Sequence, residues 1–213
     1  MIDLFKETYK GKTIARILFN LEIKKYVKNI GGVVIDLGGG KSPSYERFWR
    51  IKPEKLIKVD INEKKEPDIV ADLNKPLPFS DNLADTVFLF NVVYILESPQ
   101  KTLQEINRIL KPGGRLFMTS PFIFNEAKEP SDYWRFTSEG LEKILSEAEF
   151  GETLIKPVGE RFSAATYLIS PFLLFWPVKF IFYAVAIVFD RFIPKKLKLK
   201  QPCPIGYFVE AKK

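Results

Sequence analysis

The chain has 213 residues, a formal net charge of +7, a single cysteine and no histidine. One cysteine excludes an internal disulfide framework and a cysteine-based metal cluster, and the lack of histidine excludes Ser-His-Asp hydrolysis, histidine zinc ligands and Cys-His nucleophilic catalysis. A hydrophobic content of 46% supports a substantial core, so we expect one α/β domain over residues 1–213 with one insertion. The opening MIDLFKETYKGK holds acids and no apolar run, which predicts a cytoplasmic protein without a secretory signal.

Residues 3–29 are predicted to form one helix that leads into the first strand. Its apolar face holds Ile14, Ile17 and Leu21, which recur at helical spacing. Gly11 is the only strong turn signal within this stretch.

The stretch VVIDLGGGKS reads as a strand that ends in a tight turn, and Ser42 or Ser44 can cap a following helix at residues 44–50. Glycine at such a turn lets the backbone approach a ligand at the carboxyl edge of a parallel sheet. A Walker-type phosphate loop would need glycine where Ile35 stands, and the dinucleotide fingerprint GxGxxG would need glycine where Pro43 stands. Both patterns match poorly, and a glycine turn that only closes a strand is a further alternative.

The next two predicted strands also end in acids. KLIKVD, residues 55–60, ends in Asp60, and IVAD, residues 69–72, ends in Asp72. An acid that closes the second strand, about 20 residues after a glycine turn, can accept both ribose hydroxyls of an adenosine through its two carboxylate oxygens. A capping or solvated acid is the alternative for Asp60.

Asp36, followed two residues later by the glycine turn, resembles motif I of class I S-adenosylmethionine-dependent methyltransferases, whose usual form is DxGxGxG or ExGxGxG. Ser42 stands at the last glycine of that motif. The strings ADL, PLPF and EINRILKPGGRLFM, and the pattern D-x-V-x-x-x-x-V from Asp85, also resemble this family, in particular its methyltransferase type 11-like members, over more than half of the chain. The resemblance implies a Rossmann-like three-layer sandwich whose seven-stranded, mostly parallel sheet has an antiparallel last strand.

The resemblance also implies S-adenosyl-L-methionine as the cofactor, bound between the glycine turn and the two strand-end acids. Asp72 and Leu73 are expected beside the adenine. No metal is required, because methyl transfer is a direct displacement at the sulfonium carbon, and the protein needs chiefly to align the acceptor. The residues predicted to bind the cofactor are Asp36, Gly38, Gly39, Gly40, Asp60, Ile61, Asp72, Leu73 and Asn91.

Residues 85–93, DTVFLFNVV, are apolar on both faces, as a parallel strand buried under two helical layers should be. The end of this strand has the outline of the NPPY box of base-modifying methyltransferases, but both prolines are missing, and we attribute the likeness to chance. The other predicted elements are a helix capped by Ser98 and ended by LKPGG, a helix from Thr137 to about residue 150, and strands at residues 115–120, 153–158 and 206–212.

The loop PFIFNEAKEPSDYWRFT is expected to build the acceptor side of the site, because loops at the carboxyl ends of parallel strands carry such sites. Its DYWRFT segment resembles a signature in a branch of methyltransferases associated with cell-surface glycan and lipid genes. Those relatives commonly have a histidine a few residues earlier, where this chain has Ala127 or Lys128.

Without that histidine, an acceptor hydroxyl would need another general base. The candidate catalytic residues are Asp132, Tyr133 and Glu126. Asp132 has an alternative structural role, a buried ion pair with Arg135 that ties the loop to the sheet.

Residues 161–200 are predicted to form an inserted apolar helical hairpin followed by a basic tract. Lys179 is the only charged residue between positions 164 and 189, and two prolines suggest helices near residues 164–176 and 178–192. A single transmembrane pass would separate the last strand from its partners across the bilayer. We therefore expect a monotopic hairpin in one leaflet, with RFIPKKLKLK at anionic headgroups. The alternative is a cap on the sheet or a dimer interface.

Together these predictions indicate a methyltransferase, peripheral on the inner face of the membrane, that acts on a small-molecule, lipid-linked or glycan acceptor near the bilayer, with oxygen as the favoured methylated atom. A homodimer through the apolar insertion is compatible with this. The net charge motivates an RNA methyltransferase as an alternative, although a basic tract directly after an apolar insertion favours a membrane surface over nucleic acid. A non-catalytic membrane-associated module that retains the fold is the third hypothesis.

Overall fold

The computed structural model describes residues 2–40, 45–127 and 131–213. Within these ranges, seven strands form one sheet in the order β3-β2-β1-β4-β5-β7-β6. Strands β1 to β5 run parallel, and β7 lies antiparallel between β5 and β6. The strands are β1 Val33–Leu37, β2 Lys55–Asp60, β3 Ile69–Val70, β4 Ala84–Phe90, β5 Leu110–Pro121, β6 Thr153–Val158 and β7 Gly206–Lys212.

Helices cover both faces of this sheet. They are α1 Ile2–Tyr9, α2 Ile14–Tyr26, α3 Pro99–Ile109, α4 Ser138–Glu147, α5 Arg161–Ile169, α6 Trp176–Phe192 and α7 Lys195–Lys200. Because successive strand residues point to opposite faces, Leu37 and Leu89 pack with α3 and α4, whereas Val34 and Phe88 pack with α1, α2, α5 and α6. The predicted three-layer sandwich with an antiparallel last strand is confirmed.

The N-terminal segment contains two helices, so the prediction of a single helix over residues 3–29 is wrong. Gly11 has φ +76°, a left-handed conformation that ends an α-helix. Thr13 then caps the second helix, because its side chain accepts a hydrogen bond from the Arg16 backbone N–H at 3.3 Å.

The helix predicted at residues 44–50 is shorter than expected. Of the described residues 45–50, Glu46–Phe48 form a single 3-10 turn. The chain then becomes extended, because the Arg50 N–H donates to the Lys28 carbonyl at 2.8 Å and draws this segment alongside the end of α2. The predicted cap residues Ser42 and Ser44 lie outside the described residues.

Strands β2, β6 and β7 have their predicted bounds, and β1, which the sequence predicts at residues 32–36, is shifted by one residue. Strand β4 ends three residues earlier than predicted, because Asn91 has φ +56° and turns the chain out of the strand. Strand β5 begins at Leu110 instead of residue 115, and a register shift between Ala84 and Thr86 accommodates the extra LKPGG residues.

The remaining helices follow the predicted pattern with changed ends. Thr137 caps α4 by accepting from the Gly140 N–H at 3.1 Å, whereas Ser98 stands at the cap of α3 without a side-chain hydrogen bond. The insertion between β6 and β7 contains two main helices, as predicted. The first of them ends at Ile169, before a 3-10 turn that contains Pro171.

Candidate functional site

A cavity of about 690 Å³ opens at the carboxyl ends of β1, β2 and β4. Ligands bind at this edge in open parallel sheets, and the volume suits a nucleoside-sized molecule. Six of the predicted cofactor residues line the cavity, namely Gly38, Asp60, Ile61, Asp72, Leu73 and Asn91. The other three, Asp36, Gly39 and Gly40, are not among the described residues that line it.

Gly38 forms the inner corner of the cavity, directly after β1. Its φ of +82° favours glycine, and its N–H donates to the Val59 carbonyl at 2.7 Å. A Cβ at this position would lie 2.4 Å from Val92 Cγ2, on the turn after β4. Two independent constraints, the backbone conformation and the close approach of Val92, therefore require glycine here.

Asp60 presents an almost buried carboxylate to the cavity, with 4% of the residue exposed. Its Oδ2 accepts from Lys65 Nζ at 2.9 Å, and its Oδ1 accepts from the Asn62 N–H at 2.9 Å. Each carboxylate oxygen has two acceptor sites. The carboxylate can therefore cap the turn after β2 and still accept hydroxyls from a ligand, so the capping and the ribose-binding interpretations are compatible.

Asp72 and Asn91 stand at two further corners of the cavity. Asp72 Oδ1 accepts from the Asn74 N–H at 2.9 Å, which closes the turn after β3. Asn91, in its left-handed conformation, receives a hydrogen bond on its Oδ1 from Thr119 Oγ1 at 3.2 Å. These hydrogen bonds fix the orientation of both side chains.

Asp36 lies beneath the glycine turn instead of in the cavity. It is 1% exposed, and the Tyr45 hydroxyl donates a short hydrogen bond to its Oδ2. Burial raises the pKa of the Asp36 carboxyl to about 7. A Cβ on Gly39 would lie 1.7 Å from Asp36 Oδ2, so this carboxyl supports the turn from below. Direct cofactor binding by Asp36 stays a prediction.

The DYWRFT segment docks on the 3-10 turn Val93–Ile95, at the mouth of the cavity. The Tyr133 and Trp134 N–H groups both donate to the Tyr94 carbonyl, at 2.9 and 3.1 Å. Trp134 Nε1 donates to the Leu96 carbonyl at 2.9 Å. Since Tyr94 and Leu96 line the cavity, this segment fixes one of its walls.

The predicted buried ion pair between Asp132 and Arg135 is confirmed. Asp132 has a 2% exposed side chain, and both its oxygens accept from the Arg135 guanidinium, with Nη2 at 2.7 Å. It also accepts from the N–H of Ala127, a residue that lines the cavity. Tyr133 is half exposed and Glu126 is exposed. The catalytic roles suggested for Asp132, Tyr133 and Glu126 stay predictions, and Lys128 lies outside the described residues.

The central part of the chain is similar to proteins of known function. Residues 35–118, which contain the glycine turn and both strand-end acids, match the sequence model of a methyltransferase domain. This segment is therefore similar to methyltransferase domains. The recognition made from motif I is thereby confirmed, while the match ends before the DYWRFT segment, whose branch stays a prediction.

The methyltransferase segment is similar to the ubiquinone/menaquinone biosynthesis C-methyltransferase UbiE of Vibrio cholerae, at 30% identity over 41% of this chain and 40% of that protein. The chain spans about two fifths to half of the length of the curated relatives it matches. A crystal structure of a SAM-dependent methyltransferase from Archaeoglobus fulgidus has a TM-score of 0.64 at 21% identity, covering 99% of this chain and 98% of that one. Haemonchus contortus phosphoethanolamine N-methyltransferase 2, solved with S-adenosyl-L-methionine, has a TM-score of 0.57 at 19% identity, covering 92% and 52%. These structures show that the fold is shared.

Beside this segment, α5, α6 and the turn between them expose many apolar side chains, and we name this apolar surface the hairpin face. Their inner sides bury Tyr167, Tyr183 and Ala186. The hairpin face consists of Phe162, Leu168, Ile169, Phe172, Leu174, Phe175, Val178, Ile181, Phe182, Val185, Val188, Phe189 and Phe192. Among the described residues, no helix is both long and apolar enough to cross a membrane.

Several cavity residues of this methyltransferase fold were not predicted from the sequence. They are Asn62, Lys65, Asn74, Val92, Tyr94, Ile95, Leu96 and Ala127. Most of them stand within five residues of a strand end that the hydrophobic pattern does predict. Proximity to a predicted carboxyl-terminal strand end is thus the signal that could have found them, whereas Ala127 reaches the cavity only through the fold of its loop.

Proposed function

We propose that this protein is an S-adenosylmethionine-dependent methyltransferase that methylates an oxygen of a small-molecule, lipid-linked or glycan acceptor at a membrane surface. The observation that carries the proposal is the cavity in which Gly38, Asp60 and Asp72 meet at the carboxyl edge of the sheet. That set combines a close backbone approach with two acidic acceptors, which suits a nucleoside with hydroxyl and amine donors.

The residues of the cavity fit this cofactor in type and position. Asp60 would accept the ribose hydroxyls, Asp72 and Leu73 would flank the adenine, and the backbone of Gly38 would border the chain that carries the sulfonium. The cofactor, when bound, supplies an activated methyl group. The protein contributes alignment of the acceptor oxygen and exclusion of water, which can together lower the barrier by several kcal/mol.

The acceptor would enter beside the DYWRFT segment, because its loop lies between the cavity and the hairpin. In this loop, Ala127 lines the cavity. Three residues earlier, the Phe124 ring stacks on Tyr167 of α5 with centroids 4.9 Å apart. A molecule held at the hairpin face would thus be one loop away from the methyl group.

The hairpin face supports a membrane surface as its partner. Phe172, Leu174 and Phe175 at its tip are 82%, 80% and 73% exposed, far more apolar exposure than isolated surface residues usually give. Arg191 and the four lysines of α7 follow directly. An apolar helical surface flanked by basic residues is typical of peripheral binding to anionic leaflets. We place the protein on the inner face of the membrane on this basis.

The test is transfer of labelled methyl from S-adenosyl-L-methionine to separated lipid, glycan and RNA fractions from membranes. We expect label in a base-stable lipid or glycan methyl ether, or a base-labile ester, in the wild type and about 100-fold less with Asp60→Asn. The variant Ile181→Ser/Val185→Ser should keep activity toward a detergent-dispersed acceptor and lose it toward intact membranes. Label confined to RNA, or to methyl groups on carbon, would contradict the proposed acceptor; sedimentation of the wild type as a dimer that excludes vesicles would assign the hairpin face to a second copy.

A further inference from the structure

A second cavity, of about 410 Å³, lies between α1, α2 and the 3-10 turn Glu46–Phe48. It shares no described residue with the cavity at the carboxyl ends of β1, β2 and β4, which we call the cofactor cavity. Six cationic side chains line it, from Lys6, Lys10, Lys24, Lys28, Arg47 and Arg50. Asp3 and Glu7 are the acids in its lining, so positive charge is in excess.

Both acids already form salt bridges. Asp3 pairs with Lys24 at 2.9 Å, and Glu7 pairs with Arg47 at 2.7 Å and with Lys12 at 2.6 Å. The pKa of Glu7 is lowered to about 2 by these hydrogen bonds, so it stays ionised. The excess charge must therefore come from the other cations of the lining.

Four of the lining cations have no carboxylate within salt-bridge distance in the ranges that the structure describes. They are Lys6, Lys10, Lys28 and Arg50. Like charges that converge on one concave surface repel each other and concentrate anions from solution. The charge of the cavity therefore favours binding of a group with more than one negative charge.

Apolar side chains form part of the lining, which we call the floor of this cavity. They are Ile17, Leu21 and Phe48, beside the buried Asn20, and the Arg47 guanidinium lies 4.8 Å from the centroid of the Phe48 ring. A free inorganic anion would use only the cationic rim. A ligand that carries both a phosphate and an attached hydrocarbon portion would use the rim and the floor.

Helix α1 connects the cavity to the hairpin. One flank of α1 supplies Lys6 to the cavity, and Lys10 follows directly after this helix. The other flank packs on the start of α6, where the Phe5 ring lies 5.3 Å from Trp176 and the Tyr9 ring lies 5.3 Å from the same indole. The cationic cavity therefore adjoins the end of α6 that begins at the exposed tip of the hairpin face.

We infer that this cavity binds the phosphate-bearing headgroup of an anionic lipid while the hairpin face lies in the leaflet. The inference rests on the membrane part of the proposed function and is independent of methyl transfer. The phosphate oxygens would accept from the lysine ammonium groups, and the attached hydrocarbon portion would contact Leu21 and Phe48. Such a site fixes the orientation of the protein on the membrane, which a basic tract alone does not.

The test compares Lys6→Gln/Lys28→Gln with Lys101→Gln/Lys143→Gln, which removes the same charge from α3 and α4 on the opposite layer. Binding is measured by flotation with phosphatidylcholine vesicles that contain phosphatidic acid. We expect a loss of about fivefold for each cavity lysine, hence about 25-fold, and less than threefold for the control pair. Thermal unfolding of both variants verifies that they fold.

Two further measurements separate the possible outcomes. Equal losses for the two variants would overturn the headgroup site, even if Ile181→Ser/Val185→Ser still abolishes flotation and the membrane proposal stands. Failure of the wild type to float would overturn both the site and the membrane proposal, while methyl transfer is assayed separately. Calorimetric titration with inorganic phosphate and with glycerol 3-phosphate identifies the source: tighter binding of the soluble compounds than of vesicles would assign the cavity to a free phosphate ligand and contradict the lipid.

Discussion

The cofactor cavity and the hairpin face differ in what determines their residues. In the cavity, Gly38 and Asp60 stand at the ends of buried parallel strands, and backbone hydrogen bonds set their positions. On the hairpin face, Ile181 and Val185 are 58% and 47% exposed and contribute little to the core. The fold thus dictates the residue types of the cavity, whereas the apolar residues of the hairpin face need a reason outside the fold, and we propose the membrane.

The hairpin itself is nevertheless firmly attached. Asp190, near the end of α6, is buried and accepts from the backbone N–H groups of Glu160, Phe162 and Ser163 at 3.0, 2.9 and 3.3 Å. These groups form the start of α5, where a negative charge also interacts favourably with the helix dipole. The hairpin is therefore firmly attached to the fold, and substitutions on its exposed face should leave this attachment intact.

The largest effect is expected at the inner corner of the cavity. Gly38→Ala should destabilise the protein by roughly 4 kcal/mol and abolish cofactor binding, because a left-handed alanine costs about 1–2 kcal/mol and the clash with Val92 adds about 1–3 kcal/mol. Gly113→Ala is the matched control: φ is +78°, but no atom lies within 4 Å of the added Cβ, so it should lose only the first contribution. Urea unfolding measures both. Equal losses would show that the close approach of Val92 is unimportant.

The second largest effect is expected at Asp36, which supports the glycine turn but does not line the cavity. The folded pKa of Asp36 is raised to about 7, above the ordinary value of 3.8, so the folded protein binds the extra proton. The resulting stabilisation is fully present below pH 4 and is lost as the pH rises to about 7. Asp36→Asn removes this dependence, and the stability of the variant minus that of the wild type should increase by about 4 kcal/mol between pH 4 and pH 8. Urea unfolding at several pH values measures this difference. If the stabilities of wild type and variant change in parallel with pH, the raised pKa of Asp36 is contradicted.

A smaller effect is expected at the attachment of the hairpin. Asp190→Asn keeps the shape of the side chain but removes its charge and one acceptor, and we expect a loss of about 2 kcal/mol in the free energy of unfolding. Glu142→Gln, on the exposed side of α4, is the control and should change stability by less than about 0.5 kcal/mol. If both variants unfold at the same denaturant concentration, the hydrogen bonds of Asp190 do not hold the hairpin.

The smallest effect belongs to the hairpin face. Ile181→Ser and Val185→Ser should each change stability by about 0.5 kcal/mol or less, because both side chains are largely solvated and serine has a similar helix propensity. Thermal unfolding in buffer provides the measurement. A loss above about 2 kcal/mol would mean that these residues pack in a core, and the contrast between cavity and hairpin face would fail.

The sequence predicts the sheet and most of the cavity because both follow from local patterns. Strand β2 was predicted with its observed bounds from an apolar run that ends in Asp60, and strand ends at one sheet edge must converge. Other features depend on contacts between distant segments. Nothing in the local sequence of Asp36 indicates that Tyr45 would cover it, and nothing near Tyr94 indicates that the DYWRFT segment would dock there.

The same reasoning explains the errors at the N-terminal side. A single glycine is tolerated inside many helices, so Gly11 alone did not predict the break between α1 and α2. The predicted length of the helix after the glycine turn is too great, because the helix ends where the Arg50 N–H donates to the Lys28 carbonyl, in another part of the chain. The cationic cavity could not be predicted for the same reason, since it forms only when α1, α2 and this turn come together.

The most direct test of the central claim is calorimetric titration of the protein with S-adenosyl-L-methionine and S-adenosylhomocysteine. We predict one binding site in the wild type, a 10- to 100-fold weaker affinity in Asp60→Asn because the buried acceptor that we propose for the ribose is changed, and wild-type affinity in Asp81→Asn, a control at an exposed acid. Absence of binding to the wild type, or equal affinities in wild type and Asp60→Asn, would contradict the account.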